Sequence, residues 1–511
     1  MCGIFAICGS APGLDSRVHI NAGKHRGPEM TTVTTVDNIL FAFHRLAING
    51  YGVPTSNQPL SSGGCHLICN GEIYNWKQLS RSLDLPCASS DCDIILQLYR
   101  KVGIQHTVSI LEGVFAFVLY DSNTNMVYVA RDTFGVRPLF RCVVDTSIVV
   151  ASELKMIVNI PNVRCIEQFS PGTVCSIDCN GQQINETVFT HQYPVTIHSS
   201  HSDYLDRIRV AFVSAVQKRT LSTDRPIACL LSGGLDSSLV CAIVSKLVAP
   251  TKIHTWSIGM PGSPDLKYAQ LVANHIGSIH HQIETTADVF LEAIPDVIKC
   301  IESYDVTTVR ASIGNWLIAK QIRENSDSKV IFNGDGADEL CGGYIYMKHA
   351  PDPIEFDHEC RRLLKHIHFF DGLRSDRTIS AHGLEARTPF LDLEFVHAYL
   401  SIPSHARMSK TVEKGLLREA FSGQHVLPDE ILHRPKEAFS DGVSDIKNSW
   451  LEALNTYAIH KGYRDEAHMY ISVFNAHYPE CLHVIPYAWM PKYVQATDPS
   501  ARTLHCYVQS E

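Results

Sequence analysis

A short apolar run, Ile227 to Leu231, passes directly into Ser232-Gly233-Gly234-Leu235-Asp236-Ser237-Ser238, and an amphipathic stretch continues to Val248. A buried strand that enters a helix through two glycines can be built in few ways. The same alternation goes on: Ile253 to Ile258 reads as a strand, Asp265 to Ile276 as a helix and Ile279 to Ile283 as a strand. A helix-rich stretch then reaches about Asn325, and Lys329 to Phe332 is another strand. Strands alternating with helices require right-handed crossovers and a parallel sheet, so this half of the chain is α/β. Beyond Tyr344 the pattern is mainly helical to near Tyr478.

The first half differs. Ile4 to Cys8, Ile39 to His44, Cys65 to Cys69, Val114 to Tyr120, Met126 to Ala130 and Ser147 to Ala151 are apolar, β-rich runs separated by Gly, Asn and Asp. Two helical stretches interrupt them, near Trp76 to Leu83 and Cys92 to Val102. That is a layered antiparallel α+β unit. The polar stretch Gln182 to Ser202 reads as the linker, giving a first domain over 2–190 and a second over 205–511. The 511-residue length is too great for one ordinary domain.

Composition narrows the function. A net charge of -9 argues against a general nucleic-acid or anionic-membrane surface. No apolar run approaches the roughly 20 residues needed to cross a bilayer, and the N-terminus lacks the basic region of a signal peptide. The 17 cysteines never form a C-x-x-C pair, which favours reduced thiols and a cytosolic setting. His280-His281 and His366-x-His368 have no Cys or carboxylate at ligand spacing and read as structural.

The turn after Leu231 can cradle an anion, because free N–H groups and the helix dipole both favour phosphate. There is no Gly-Lys-Ser/Thr, so it is not the kinase-type phosphate loop. It resembles the PP-loop of ATP pyrophosphatases, which split ATP between its α and β phosphorus atoms. A carboxylate beside phosphates needs a cation between them, so Asp236 implies Mg²⁺. Asp338, in Asn333-Gly334-Asp335-Gly336-Ala337-Asp338-Glu339, is the second expected ligand, at the carboxyl edge of the same sheet. The expected ATP-binding residues are Leu231, Ser232, Gly233, Gly234, Leu235, Asp236, Ser237, Ile258, Asn333 and Gly334.

Cys2 follows the initiator methionine. Its removal would leave one residue carrying both a thiol and an α-amine, whose ordinary pKa of roughly 7.7–8.0 suits it to accept the thiol proton. Met1-Cys2-Gly3-Ile4, His25-Arg26-Gly27-Pro28-Glu29, His44-Arg45-Leu46-Ala47-Ile48, Asn70-Gly71-Glu72-Ile73-Tyr74-Asn75, Ser90-Asp91-Cys92-Asp93 and Arg131-Asp132-x-x-Gly135-Val136-Arg137 occur in that order. Together they resemble the class II glutamine amidotransferase domain, an N-terminal nucleophile hydrolase with an αββα sandwich. The resemblance implies that Cys2 attacks glutamine while Asn70 and Gly71 face the oxyanion. It also implies a glutamine pocket from Arg45, Leu46, Ala47, Ile48, Asn49, Asn70, Gly71, Glu72 and Asp91. Arg131 and Asp132 read instead as a fold-stabilising pair.

The second half resembles the asparagine synthetase family, through Tyr304 to Ser312, Gly383 to Asp392, Arg434 to Val443 and Ile485 to Lys492. The resemblance implies that aspartate attacks ATP to give β-aspartyl-AMP and diphosphate, and that ammonia from glutamine travels inside the protein to the acyl-adenylate. Lys436 is then expected to neutralise developing charge and Asp335 to take a proton, with Arg310 and Arg387 as weaker candidates for diphosphate or aspartate. Asp392 reads as a helix N-cap. A homodimer is also implied. This chain has Asn333 where relatives carry Ser, and Asp335 and Asp93 where they carry Glu. The shorter Asp335 implies reduced turnover or a compensating backbone. Two alternatives stay open: another PP-loop amidotransferase such as a β-lactam synthetase-like enzyme, or a catalytically impaired homologue.

Overall fold

The computed structural model describes all residues except 10–13, 87–89, 190–192, 196–198, 437–449 and 501–511. The first half contains, in chain order, β1 (Gly3–Cys8), β2 (Met30–Val36), β3 (Ile39–Arg45), β4 (Leu60–Ser62), β5 (Cys65–Ile73) and β6 (Gly113–Asp121). It continues with β7 (Met126–Arg131), β8 (Phe140–Val144), β9 (Ser147–Ala151), β10 (Val163–Gln168), β11 (Thr173–Asp178) and β12 (Gln183–Val188). These form two six-stranded sheets, ordered β10-β8-β9-β1-β3-β2 and β12-β11-β7-β6-β5-β4.

The period of two sorts each strand between the two faces of its sheet. Ile4, Ala6 and Cys8 of β1 face Ile68 of β5 and Val118 of β6, filling the space between the sheets. Leu67 and Cys69 point outward and pack on the Asp93–Ile110 helix. The other outer face is covered differently. Phe5 and Ile7 share one core with Ile294, Val297, Leu373 and Ile379 of the second half. The outer layer over the first sheet is thus contributed largely by the second half of the chain, so the two units meet through packed side chains.

The second half holds β13 (Ile227–Leu230), β14 (His254–Gly259), β15 (Ile279–Glu284), β16 (Val330–Phe332) and β17 (Glu385–Arg387). They form one sheet ordered β15-β14-β13-β16-β17, with all four neighbouring pairs parallel. The order reverses between β13 and β16, and ligands of open parallel sheets gather at the carboxyl ends of such a switch point. The loops 231–236 and 333–338 leave there.

One expectation needs correction. The polar stretch from Gln182 is not wholly a linker, since β12 pairs with β11 at the sheet edge. An exposed edge strand buries little, so its polar sequence carries no apolar alternation to read. Arg131 and Asp132 do stabilise the fold, through hydrogen bonds to the main chain as well as through the attraction between their charges. Arg131 donates to the carbonyls of Gly135, Arg137 and Phe169, and Asp132 accepts from the amides of Phe115, Phe134, Val136 and Arg137. Asp392 caps the Leu393–Leu400 helix as expected, accepting from Phe395 N. The paired histidines are structural: His280 bonds Thr255 and Ser257, and Tyr487 bonds His366. Among the described residues no helix is long and apolar enough to cross a membrane.

Candidate active sites

The first centre lies where β1 begins. The Cys2 thiol donates to Leu46 O at 3.6 Å, and Arg26 Nε donates to Cys2 O at 2.8 Å. Burial pushes the Cys2 thiol up to about 11, so it is protonated at neutral pH. Met1 is fully buried; its amine donates to Leu384 O at 2.9 Å and is pushed down to about 5 by burial.

Asn70 stands on the same face of β5 as Ile68, turned toward β1 and the space against which Cys2 packs. Both polar atoms of its side chain are buried without a partner. Such a group normally costs about 1–3 kcal/mol, which makes Asn70 a candidate for contact with a ligand. Gly71 admits no larger residue, because a Cβ there would lie 2.5 Å from Val114 O.

Glu72, two residues on, shares that face. Asn49 Nδ2 donates to it at 2.5 Å and Arg387 lies at 3.3 Å. Burial holds the Glu72 carboxyl well above its usual range, against the pull of Arg387. Asp91 accepts from Ile73 N at 2.8 Å and is pushed up to about 6, again chiefly by burial. The N-cap of the following helix is Cys92, not Asp91.

Arg45 donates to Asn57, to Gly50 O at 2.9 Å and to Ser56 Oγ at 2.6 Å, which fixes its guanidinium over the loop 50–57. The structure limits three other candidates. Leu46 and Ile48 send their side chains into the core shared with Val114 and Phe134. The amide of Ala47 already donates to Glu29 at 2.7 Å, and its carbonyl accepts from Arg225 at 3.0 Å.

The second centre is a cavity of about 210 Å³ at the sheet's switch point. Leu231, Ser232, Gly234, Leu235, Asp236, Ser237, Ile258, Asn333 and Gly334 all line it, as do Asp335, Asp338 and Lys436. Gly233 is set back. Its φ of +73° and a Cβ distance of 2.5 Å to the Tyr268 and Ala269 backbone leave room only for glycine. The helix Leu235–Val248 has Gly234 as its N-cap with no side-chain cap, so its first amides face the cavity without a protein acceptor from that position. Ser232 and Ser237 bond each other at 3.0 Å and tie the turn shut.

Asp236 and Asp338 converge on one cationic position. Lys414 Nζ lies 2.5 Å from Asp236 Oδ2 and 2.6 Å from Asp338 Oδ1, and Lys436 Nζ lies 2.5 Å from Asp338 Oδ2. Burial alone would raise the Asp338 carboxyl, but Lys414 and Lys436 hold it well below the usual range. The other Asp236 oxygen is buried without a hydrogen-bond partner. Such a set suits a divalent ion in contact with phosphate oxygens.

Sequence reasoning missed Lys414, which sits in an ordinary amphipathic stretch some 76 residues after Asp338 with no Gly-rich or acidic motif around it. The close approach of Gly343 is the one local hint: a Cβ there would fall 2.0 Å from both Asp338 Oδ1 and Lys414 Cε.

Asp335 accepts from Arg374 Nη2 at 2.5 Å and from Asn333 Nδ2 at 2.8 Å, and burial raises its carboxyl against the pull of Arg374. The long Asn333 side chain also donates to Ser375 Oγ at 2.7 Å. The short Asp335 is therefore gripped from two sides. Arg310 borders the cavity but is saturated by Glu466 at 2.6 Å and Asp498 at 2.8 Å. Arg387 does not reach the nucleotide cavity. It is fully buried between Glu72, Glu385 and Ser222, because β17 is the edge strand next to the first domain.

Comparison with known proteins falls on the same division. A glutamine amidotransferase domain model matches residues 1–189, and an asparagine synthase model matches residues 207–357 and 348–496. The glutamine-hydrolysing asparagine synthetase of Gallus gallus is 42% identical over 99% of this chain and 99% of its own. That of Homo sapiens is 41% identical over the same shares. A solved glutamine phosphoribosylpyrophosphate amidotransferase from B. subtilis, complexed with ADP and GMP, is 17% identical with a TM-score of 0.33, covering 55% of this chain and 81% of that one.

Proposed function

The chain belongs to the asparagine synthase family and catalyses ATP- and glutamine-dependent asparagine synthesis, and from that premise we propose how its residues divide the work. Residues 2–190 form the glutaminase unit and residues 205–511 the synthetase unit. In the first, the Cys2 sulfur attacks the glutamine carboxamide, its proton passes through the α-amine to the departing nitrogen, a thioester forms as ammonia leaves, and water then hydrolyses the thioester to glutamate and restores the thiol. Asn70 Nδ2 and the Gly71 amide donate to the oxyanion, each such donor lowering the barrier by about 3–4 kcal/mol. Arg45 takes the α-carboxylate, and Glu72 and Asp91 the α-ammonium. The main chain of Leu46, Ala47, Ile48 and Asn49 frames the pocket. Removal of Met1 is required, because the amine that accepts the thiol proton must belong to Cys2 itself.

In the second unit, ATP lies along the turn Leu231 to Ser237, with Ile258 beside the adenosine and Asn333-Gly334 closing the opposite wall. The aspartate side-chain carboxylate attacks the α-phosphorus, the bond to the β-phosphate oxygen breaks, and diphosphate leaves with the electron pair. Mg²⁺, held by Asp236 and Asp338, would neutralise the phosphates. Lys436 and Lys414 place positive charge where the phosphate charge develops. Neutral ammonia, carried between the sites, attacks the β-aspartyl-AMP carbonyl, and AMP leaves. Asp335 accepts the proton that nitrogen loses, a task suited to a carboxyl raised by burial. A homodimer and a cytosolic location complete the reading.

The observation that carries this assignment is the match over 99% of the chain to glutamine-hydrolysing asparagine synthetases. The test is a stoichiometric assay with aspartate, glutamine, ATP and Mg²⁺. Asparagine, glutamate, AMP and diphosphate should form in equal amounts, and formation of ADP and phosphate would overturn it. Sedimentation should give twice the 56.9 kDa chain mass.

A further inference from the structure

The helix Asp371–Ser380 of the synthetase half touches both centres. Its Arg374 and Ser375 grip Asp335 and Asn333, as described above. One residue further, Asp376 reaches the other way. Asp376 Oδ2 accepts from Arg26 Nη1 at 2.7 Å and Asp376 Oδ1 from Arg26 Nη2 at 3.1 Å, a two-pronged pair with both side chains at most 1% exposed. Ser380 Oγ accepts from Arg26 Nη1 at 3.1 Å. The third nitrogen of Arg26, Nε, donates to Cys2 O at 2.8 Å. The main chain that carries the nucleophile is thus held by an arginine whose fork is oriented from the opposite domain.

We infer that Asp376 is a positioning residue for the glutaminase centre, acting through Arg26 on the Cys2 backbone, so that one synthetase helix sets the geometry of the nucleophile and of Asp335 together. The physical ground is rigidity. A planar guanidinium with both terminal nitrogens fixed has no freedom left at Nε, and a misplacement near 1 Å at a reacting group costs about 10²-fold in rate. Glu153 also meets Arg26, at 2.7 Å, but it is shared with His25, Lys155 and Arg377. Asp376 is shared too, with Arg137 Nη1 at 3.5 Å, but it is the carboxylate that meets both terminal nitrogens of Arg26.

The inference rests on Cys2 as the nucleophile, so glutaminase activity of the unmodified protein and its loss in Cys2→Ala are measured first; failure there refutes that reading, not this one. Asp376→Asn should then lower glutaminase kcat at least tenfold and leave the KM for glutamine within about twofold. Ammonia-dependent asparagine synthesis should stay within about twofold. Asp376→Glu, which keeps the charge, should recover most of the loss. An unchanged glutaminase kcat, an equal fall in both activities, or no recovery with glutamate would overturn the proposal. Should Asp376→Asn show no cooperative melt, Ser380→Ala decides. It removes one acceptor of the fork and should lower glutaminase kcat several-fold with synthesis intact; an unaltered kcat refutes the inference.

Discussion

Replacing Lys414 by Met would remove the cation that lies between two carboxylates while keeping most of the side-chain volume. Lys414 is 2% exposed, and its partners Asp236 and Asp338 are 16% and 13% exposed. Removing one partner of a buried pair typically costs about 3–5 kcal/mol, because the other charge is left uncompensated. Here Asp338 keeps Lys436 at 2.5 Å, whereas the other Asp236 oxygen has no hydrogen bond. The lower end applies, about 3 kcal/mol. At roughly 2–4 °C per kcal/mol for a domain of this size, the melting temperature should fall by roughly 6–12 °C in EDTA.

The loss should depend on pH and on metal. In the unmodified protein the Asp338 carboxyl is depressed, so its contribution is present above the ordinary carboxylate range and lost only well into acid. Stability should therefore be flat from this source between pH 5.5 and 8. In Lys414→Met the Asp338 carboxyl loses the stronger of the two cations that depress it and keeps Lys436, so its contribution should be lost at higher pH than in the unmodified protein. Mg²⁺ should stabilise the variant more than the unmodified protein, because the ion takes the vacated position. Thermal melts across pH with and without Mg²⁺ test this directly. An unshifted melting temperature in EDTA, or a Mg²⁺ effect equal in both proteins, would refute the reasoning.

Cys2→Ala should abolish glutamine-dependent synthesis and spare synthesis from ammonium salts; joint loss would contradict two separate centres. Asn70→Ala should lower glutaminase kcat about 10²–10³-fold with intact ammonia use, measured by glutamate release. Asn333→Ala frees one oxygen of Asp335 and should cut ammonia-dependent synthesis about tenfold or more, with glutaminase unaffected. Asp91, raised to about 6, must be ionised to hold an ammonium, so kcat/KM for glutamine should fall as pH drops through about 6. A flat profile between pH 5 and 7.5 would remove Asp91 from the pocket.

The parts of this architecture that could be read from sequence are those where local chemistry and tertiary placement coincide. The run Ile227 to Val248 is a strand, a glycine turn and a helix whatever surrounds it, and six of its seven expected nucleotide contacts line one cavity. Asn70 and Gly71 were reached only through the resemblance to class II glutamine amidotransferases, because nothing in the periodicity of β5 separates a polar core position from a ligand contact. Lys414, Arg374 and Asp376 were not legible, because each acts across more than a dozen residues of sequence from a helix or turn whose pattern records only its own core face. Arg387 illustrates the opposite error. The resemblance made Arg387 a weaker candidate for diphosphate or aspartate, but its place on the edge strand β17 turns it to Glu72 of the neighbouring domain. The polar strand Gln183–Val188 escaped notice because an edge needs no apolar alternation.

Transfer of oxygen reports most directly on the chemistry assigned to the second centre. With aspartate labelled by ¹⁸O in its side-chain carboxylate, together with ATP and glutamine, one labelled oxygen should appear in AMP for each asparagine formed. Label found in inorganic phosphate, or AMP formed without label, would contradict attack on the α-phosphorus and with it the account of both sites.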